Sequence, residues 1–546
     1  MKKFGLPWSI VLALVSSVLL DSCFPVAGPM PRWRSMLAWF ALVPLLIALL
    51  NENAAAHPRY LRRSALVGYV CGVCRYVLNC YWIYQTMLYY GNVPAFGSAG
   101  IVVLFSLVLG LYFGLFGLGL AFFRRRFGLS AALILASFLW VALELAAARI
   151  TSVPWDQLGY SQVDNLWLTR LAPWTGVYGI SFVIVAVGAL LVNAGFSRSS
   201  RARPISVGSA IVAIALLQSG SWDRRAPASS ADYAVLIQPN IDVATNDNWI
   251  GPEWDGDVGW IVQQAQATCT PAFDGMPQAN AVPPERTCAQ NTPPPGIVLW
   301  PEVASWFRSD DPRTVALLDR VATSANAPFI AGMFGQDATG TYNSAVFTNP
   351  DGAMVGRYDK IHLVPFGEFV PYRNLFFFAK KLTHQLVDLQ RGHERKVFES
   401  GGHRFGVFIC YESVFADEVR LFAKNGAQVL VNISDDGWYG DTSAPWQHLN
   451  MARMRAIEND RWLLRDTNNG VTTVIDPLGR VTLSAPRHTV TSLVARYGYK
   501  SDLTFYTRYG DVFGYFCCVV CGVALILGVL FRRRPDERAS SSPSAV

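Results

Sequence analysis

Three residues far apart in the chain carry side chains that together would do acyl-transfer chemistry. Cys410 closes the apolar run in GVFICYESVF (406–415), Glu302 follows VLWP, and Lys360 lies within RYDKIHLVPFGEFVP (357–371). A thiol is nucleophilic only as thiolate, and a carboxylate is a base that can take its proton. A fixed ammonium lowers the thiol pKa and stabilises the oxyanion of a tetrahedral intermediate. Each residue also has an ordinary reading. Free cysteine is among the most buried residue types, and single lysines and glutamates are usually solvated surface charges. Chemistry groups the three, but no local motif does, so at this level both readings stand.

The elements that would position them come from the apolar pattern. The 546 residues exceed what one compact core holds, and two structural units are expected. Apolar residues crowd into the first ~220 residues and the last ~35, and leave a more polar middle from Ser221 to Arg508 that is large enough for its own core. In that middle, YAVLIQPN (233–240), GIVLWPE (296–302), APFIAGMF (327–334), SAVFTN (344–349), FGVFIC (405–410) and AQVLVNIS (427–434) read as buried strands. TVALLDRVATSA (314–325) and PWQHLNMARMRAIEND (445–460) have helical spacing. The pattern predicts a layered α/β domain with Glu302, Lys360 and Cys410 at strand ends, where such sheets hold their sites. No run of Lys and Arg interleaved with aromatics occurs in the middle region, which argues against a nucleic-acid partner.

Eight apolar stretches are long enough to cross a bilayer: 6–22, 34–51, 66–86, 97–121, 129–149, 174–194, 204–219 and 511–531. Lys2/Lys3, Arg59/Arg62/Arg63, Arg124–Arg126, Arg198/Arg201/Arg203 and Arg532–Arg534 fall at alternate ends of these spans. The positive-inside rule then predicts cytoplasmic termini and an extracytoplasmic middle domain. Asp21 and Glu144 lie at or within spans, with Arg75 as a candidate partner. Seven of the ten cysteines sit in or beside spans, and the C-x-x-C spacings 71–74 and 518–521 read as core residues of apolar helices. Cys269 and Cys288 bracket a Pro- and Ala-rich loop and are candidates for a disulfide in an oxidising compartment, or for two free thiols. His362, His403 and His448 form no recognisable metal-ligand set, so no metal or cofactor is expected, and these histidines read as structural or site-edge residues.

The WPE, Y-x-K-x-H-L-V-P-F-G-E and CYE segments resemble the nitrilase (carbon–nitrogen hydrolase) superfamily. Joined to the membrane spans, they are similar to the apolipoprotein N-acyltransferase family. LVNISDDGWYG (430–440), PWQHLNMARMRAIE (445–458), LLRDTNNGVTTVIDPLGR (463–480), TRYGD (507–511), VPWDQLGYSQ (153–162) and GVYGISF (176–182) extend the resemblance over nearly the whole chain. It implies a nitrilase-like α-β-β-α sandwich (221–508) joined to a seven-helix bundle (1–220), with an eighth helix and basic tail (509–546).

The same resemblance implies roles. Glu302 would be the general base, Lys360 the oxyanion-stabilising cation and Cys410 the nucleophile, with Glu368, Tyr411 and Glu412 in support. Trp249 or Trp254 would fill the family's tryptophan position, because the spacing after QPN is longer than usual, QPN stands where QGN is commoner, and the 264–295 loop is long. The implied reaction is ping-pong transfer of an acyl chain from a phospholipid, phosphatidylethanolamine foremost, to the N-terminal amine of diacylglyceryl apolipoproteins at the bacterial inner membrane. Aromatic segments LFFF (375–378) and WYG (438–440) are candidate apolar arms for lipid chains, and Lys380 and Lys381 are candidates to meet phosphate. A membrane-anchored amidase using water as acceptor and a retired homologue that only binds lipoproteins are the rival readings.

Overall fold

A computed structural model describes residues 5–51, 55–196, 202–223, 230–243, 253–267, 272–276, 293–365, 367–369 and 389–530. The polar middle of the chain folds into two mixed sheets packed face to face. The first has the order β13-β1-β3-β4-β5-β6, built from β1 (Asp232–Gln238), β3 (Ile297–Trp300), β4 (Phe329–Asp337), β5 (Gly340–Thr348), β6 (Met354–Asp359) and β13 (Thr491–Tyr497). The second has the order β2-β12-β11-β10-β9-β8-β7. Its strands are β2 (Phe273–Asp274), β7 (Val397–Ser400), β8 (His403–Ile409), β9 (Val429–Ser434), β10 (Trp462–Thr467), β11 (Thr473–Ile475) and β12 (Val481–Ser484). The parallel pairs β1/β3, β3/β4, β8/β9 and β9/β10 bring several C-terminal strand ends to one rim.

Helices cover both outer faces. Trp254–Ala265 and Pro312–Ala325 pack on the first sheet through Val258, Ile261, Leu317, Leu318 and Val321, which share a core with Val298, Phe329 and Val346. Pro312–Ala325 starts where Asp311 accepts from Arg313 N at 2.9 Å with Pro312 at the first turn, and it stops at the left-handed Asn326. Ala416–Lys424 and Ala444–Asn459 pack on the second sheet. The first of these carries Asp417 and Glu418 in its opening turn and Lys424 in its last, the polarity that the helix dipole favours.

The N-terminal region is helical. Among the described residues, Arg32–Leu50, Ala95–Phe127, Leu129–Ile150, Val177–Phe196 and Val512–Leu530 are each long and apolar enough to cross a membrane. Tyr60–Asn79 and Trp82–Tyr89 make a sixth only if taken as one span bent by 50°. Leu6–Ser22 and Val207–Trp222 are shorter apolar helices. The structure thus gives five or six full-length spans where the sequence pattern gives eight. The unbroken stretch expected at 66–86 is divided for a visible reason. The Asn79 carbonyl accepts from Gln447 Nε2 of the sheet domain at 3.2 Å, where an uninterrupted helix would give it to residue 83.

Ala95–Phe127 shows how such a helix divides its faces. Leu104, Leu107, Leu111, Leu115 and Leu118, spaced by three and four, are exposed and form an apolar stripe on the outside. Ser98, Ser106, Gly110 and Gly117 are buried on the opposite face, where small residues let helices approach closely. A methyl group on Gly117 would lie 2.2 Å from the Ser64 carbonyl oxygen of the neighbouring helix. The polar groups inside the bundle find neutral hydrogen-bond partners. Glu144 accepts from Trp140 Nε1 and from Leu158 N, each at 2.8 Å, while Arg75 donates to the Asp156 carbonyl at 2.6 Å.

Bundle and sheets share one core. Val414, Phe415, Tyr439, Met451, Met454 and Ile457 of the sheet domain belong to the same buried cluster as the transmembrane-type helices. Gln447 accepts from Trp155 Nε1 at 2.8 Å and donates to the Pro25 and Asn79 carbonyls at 3.2 Å, while Arg149 pairs with Asp417 and Asp511.

Candidate active site

The sequence-predicted trio meets at the rim. Glu302 follows β3, Lys360 follows β6, and Cys410 follows β8 as the first residue of a short 3-10 turn, Cys410–Val414. Lys360 Nζ lies 2.9 Å from Glu302 Oε1 and 2.9 Å from Glu368 Oε1. Asn343 Nδ2, from β5, donates to the same two oxygens at 2.7 Å each. Glu302 Oε2 accepts from Asp435 N at 2.9 Å, and Glu368 Oε2 from Val364 N at 2.8 Å. Both carboxylates are therefore fixed at both oxygens. A glycine makes room for Glu302: a methyl group at Gly332 on β4 would sit 2.7 Å from Glu302 Cα and 2.3 Å from the Pro301 carbonyl oxygen.

Cys410 is buried, with 6 % of its surface exposed, and holds a left-handed backbone at φ 49°, which is costly for a residue with a Cβ. Glu412 braces this turn from below. Its two oxygens accept from Ile409 N (2.7 Å), Ile361 N (2.7 Å), His362 N (3.1 Å) and Tyr358 Oη (2.8 and 2.9 Å). One buried carboxylate thus ties the residue before Cys410 to the two residues after Lys360. Tyr411 points the other way, donates to the Ser152 carbonyl at 3.2 Å and stacks on Trp155, which joins the turn to the bundle.

The electrostatics define the resting state. Burial and the Glu302 carboxylate push the Cys410 thiol well above its ordinary range, against the pull of Lys360. Burial opposes the charge on Lys360, but Glu302 and Glu368, with Cys410, outweigh it and hold the ammonium well above its usual range. The site at rest holds a neutral thiol beside a charged lysine and a carboxylate, which is the arrangement for proton removal during attack.

Several groups at the site escaped the sequence pattern. Asp435 and Asp436 follow β9. Burial, with the Glu302 charge, raises the Asp435 carboxyl to about 8. Asp436 is also buried, yet the Arg465 guanidinium holds it below the usual carboxylate range. His448 Nε2 lies 3.1 Å from the Cys410 carbonyl oxygen. Asn343 sits in a strand that reads as plain apolar core, so its type alone gave no signal. The DDG segment stood out only through its resemblance to a family, whereas PWQH showed helical spacing and His448 read as a structural or site-edge residue.

The remaining expectations have mixed outcomes. Trp249, Cys269, Cys288, the LFFF segment, Lys380 and Lys381 lie outside the described residues. Trp254 packs edge-on to Phe307 at 5.8 Å and beneath the Arg313 guanidinium, in the layer outside the first sheet. In the WYG segment, Trp438 is 40 % exposed, whereas Tyr439 is buried against Trp82, Trp155 and His448.

Comparison with known proteins shows the family of the chain. A carbon-nitrogen hydrolase family profile matches residues 290–496, and a profile of the apolipoprotein N-acyltransferase N-terminal domain matches residues 4–190. The sheet region is accordingly a nitrilase-like hydrolase fold. A solved nitrilase-superfamily protein of Saccharomyces cerevisiae covers 50 % of this chain and 93 % of its own, at 18 % identity and a TM-score of 0.36. The apolipoprotein N-acyltransferase of Geobacter metallireducens is 32 % identical over 96 % of this chain and 95 % of its own length. That of Methylococcus capsulatus is 30 % identical over 97 % of both. At that identity over that length, the chain belongs to the apolipoprotein N-acyltransferase family.

Proposed function

We propose that this chain is a membrane N-acyltransferase that moves an acyl group from a phospholipid to the N-terminal amine of a diacylglyceryl-cysteine lipoprotein, through a thioester on Cys410. The observation that carries the mechanism is the buried Glu302–Lys360–Glu368 cluster beside a strained, buried cysteine. Glu302 takes the thiol proton as sulfur attacks the ester carbonyl, and the Lys360 ammonium stabilises the oxyanion. The lysophospholipid alkoxide leaves with the proton from Glu302. In the second half, the neutral amine attacks the thioester, Glu302 removes the amine's surplus proton, and Cys410 departs to regain it as thiol. Glu368 and Asn343 hold Lys360 and Glu302 in register; Glu412 and Tyr411 hold the cysteine turn; Trp249 serves the substrate side.

Phosphatidylethanolamine is the proposed donor. Residues 1–220 would form the bundle, 221–508 the catalytic domain and 509–546 the last crossing and tail. Eight crossings place the termini in the cytoplasm and the catalytic domain outside the bacterial inner membrane. Two features support this. Leu6–Ser22 and Val207–Trp222 supply the two further apolar helices beyond the six counted by length. Trp33, Trp167, Trp174 and Trp222 are exposed near helix ends, as in an aromatic belt at a membrane interface, and Arg124–Arg126 close the C-terminal end of Ala95–Phe127, as a cytoplasmic end would.

The test is intact-mass analysis after incubation with phosphatidylethanolamine, beside Cys410→Ala. A hydroxylamine-labile acyl mass on wild type alone, discharged by a diacylglyceryl-cysteine peptide, is the expected result. An adduct discharged by water at the same rate without the peptide makes the chain an amidase-like hydrolase. No adduct at all refutes the covalent mechanism.

A further inference from the structure

Cys410 has no conformational reason of its own to remain at φ 49°, because the left-handed region is disfavoured for a residue with a Cβ. Its surroundings must hold it there. On the amide side, Glu412 secures Ile409 N. On the carbonyl side, the Cys410 oxygen faces His448 Nε2 at 3.1 Å. His448 comes from the helix Ala444–Asn459, is fully buried, and belongs to none of the Lys360, Glu302 and Glu368 contacts.

The proton assignment follows from its partners. A carbonyl oxygen only accepts, so the 3.1 Å contact is a hydrogen bond only when Nε2 carries a proton. At the other ring nitrogen, Arg465 Nη2 lies 3.1 Å from Nδ1 and can donate to it. Asp436, whose Oδ1 lies 3.0 Å from Nδ1, accepts from Arg465 Nη2 at 2.8 and 2.9 Å and from the Ser434 hydroxyl at 3.0 Å. With Arg465 donating at Nδ1, a neutral ring carries its single proton on Nε2. The Ser413 hydroxyl oxygen, 2.6 Å from Nε2, accepts from the same N–H, so the proton is shared between Ser413 Oγ and the Cys410 carbonyl. Trp155 stacks over the imidazole at 6.1 Å and 20°, which fixes the plane of the ring.

We propose that His448 is a positioning residue whose Nε2–H holds the Cys410 carbonyl and, through the rigid Cys410–Tyr411 peptide, the direction of the nucleophilic thiol. This rests on Cys410 being the nucleophile. Losing the donor frees the carbonyl and lets the cysteine relax from its left-handed backbone. The thiol then leaves its attack geometry, while the lipid-binding surface is untouched. The loss should fall on the acylation rate constant and leave the phospholipid concentration dependence unchanged.

The test compares His448→Gln with His448→Met in the full-length protein. The two side chains have the same reach, and only glutamine ends in a donor at the Nε2 position. Two rates are read by intact mass: acylation of Cys410 by phosphatidylethanolamine in micelles, and alkylation of Cys410 by iodoacetamide. The glutamine variant is expected within about threefold of wild type, and the methionine variant about 10–100-fold slower in acylation with unchanged KM, if the carbonyl hold is worth about 1.4–2.8 kcal/mol. Where the methionine variant does not fold, His448→Asn, whose amide reaches only the Nδ1 position, takes its place with the same expectation. Equal rates in the donor and donor-free variants, or a glutamine variant that fails to fold, overturn the proposal. If wild type itself forms no acyl adduct, the nucleophile reading has failed instead. The alkylation rates then still report whether His448 controls the thiol.

Discussion

Replacing Glu412 by glutamine is the sharpest test of how the cysteine turn is held. The substitution keeps the size and shape of the side chain and turns one acceptor oxygen into a donor. In the native site Oε1 accepts from Ile361 N, His362 N and Tyr358 Oη, and Oε2 accepts from Ile409 N and Tyr358 Oη. A glutamine oxygen placed toward Ile361 and His362 leaves its amide group facing Ile409 N–H, and one buried donor loses its acceptor. The flipped amide orphans two donors, so the first orientation wins. An orphaned buried donor costs about 1–3 kcal/mol, and the remaining bonds lose their charge assistance. The orphan lies one residue before Cys410, so the loss acts where attack geometry is set. Acylation of Cys410 by phosphatidylethanolamine should slow by about 10–100-fold, and the thermal midpoint should fall. Rapid quench with intact-mass detection measures the first effect, and tryptophan fluorescence on heating the second. A glutamine variant that acylates at the wild-type rate with the wild-type midpoint would refute the bracing role.

Three further outcomes follow from the same geometry. Lys360→Met leaves Glu302 and Glu368 facing one another across Asn343 with no cation, and acyl-adduct formation should fall by about 100–1,000-fold; a loss under tenfold refutes the oxyanion role. Gly332→Ala forces a methyl group within 2.7 Å of Glu302 Cα and should lower the acylation rate by at least about tenfold, or destabilise the fold by about 1–3 kcal/mol; an unaffected variant shows that Glu302 needs no such backbone clearance. Asp466, on β10, is fully buried, and burial raises its carboxyl well above the ordinary range against the pull of the Thr467 amide. From its unfolded value of about 4 upward, the folded state binds the extra proton, so stability falls as pH rises, by about 1.4 kcal/mol per unit until the folded value is passed. Asp466→Asn should remove that slope and raise the midpoint at pH 7, and parallel midpoint curves for the two proteins between pH 4.5 and 7.5 would refute it.

What the sequence revealed depended on what each residue faces. β1, β3, β4, β8 and β9 are buried on both faces, so they read as unbroken apolar runs and were visible as strands. β10 is equally buried but reads WLLRDT, because Arg465 reaches Asp436 and Asn432 and the buried Asp466 stands beside it. Hydropathy hides such a strand. β6 escaped for the opposite reason: at the sheet edge, Met354 and Val355 are exposed and the strand carries charged residues. The trio of Glu302, Lys360 and Cys410 was legible because each residue is chemically loud and stands at a strand end. Asn343 was not, and His448 was legible only as a structural or site-edge residue, because amide and imidazole groups serve core hydrogen bonding just as often, and only distances separate the two uses.

The division into a greasy bundle and a polar domain, clear in composition, is least true where it matters most. Gln447 is a residue of the sheet domain, yet its side chain hydrogen-bonds to Trp155, Pro25 and Asn79 of the helical region. Trp155, in turn, is a residue of the helical region that stacks on His448 and Tyr411, either side of the Cys410 carbonyl. The bent helix at Asn79 and the cysteine turn are therefore braced through the same two side chains. The chemistry gives a reason for building them together. Withdrawing a lipid chain from the bilayer costs about 0.8 kcal/mol per methylene, or roughly 12 kcal/mol for fifteen of them. A thiol that must meet an ester still anchored in the membrane cannot tolerate play between catalytic domain and bundle, because an ångström of misplacement forfeits the rate gained by orientation. A shared core, in place of a linker, removes that play.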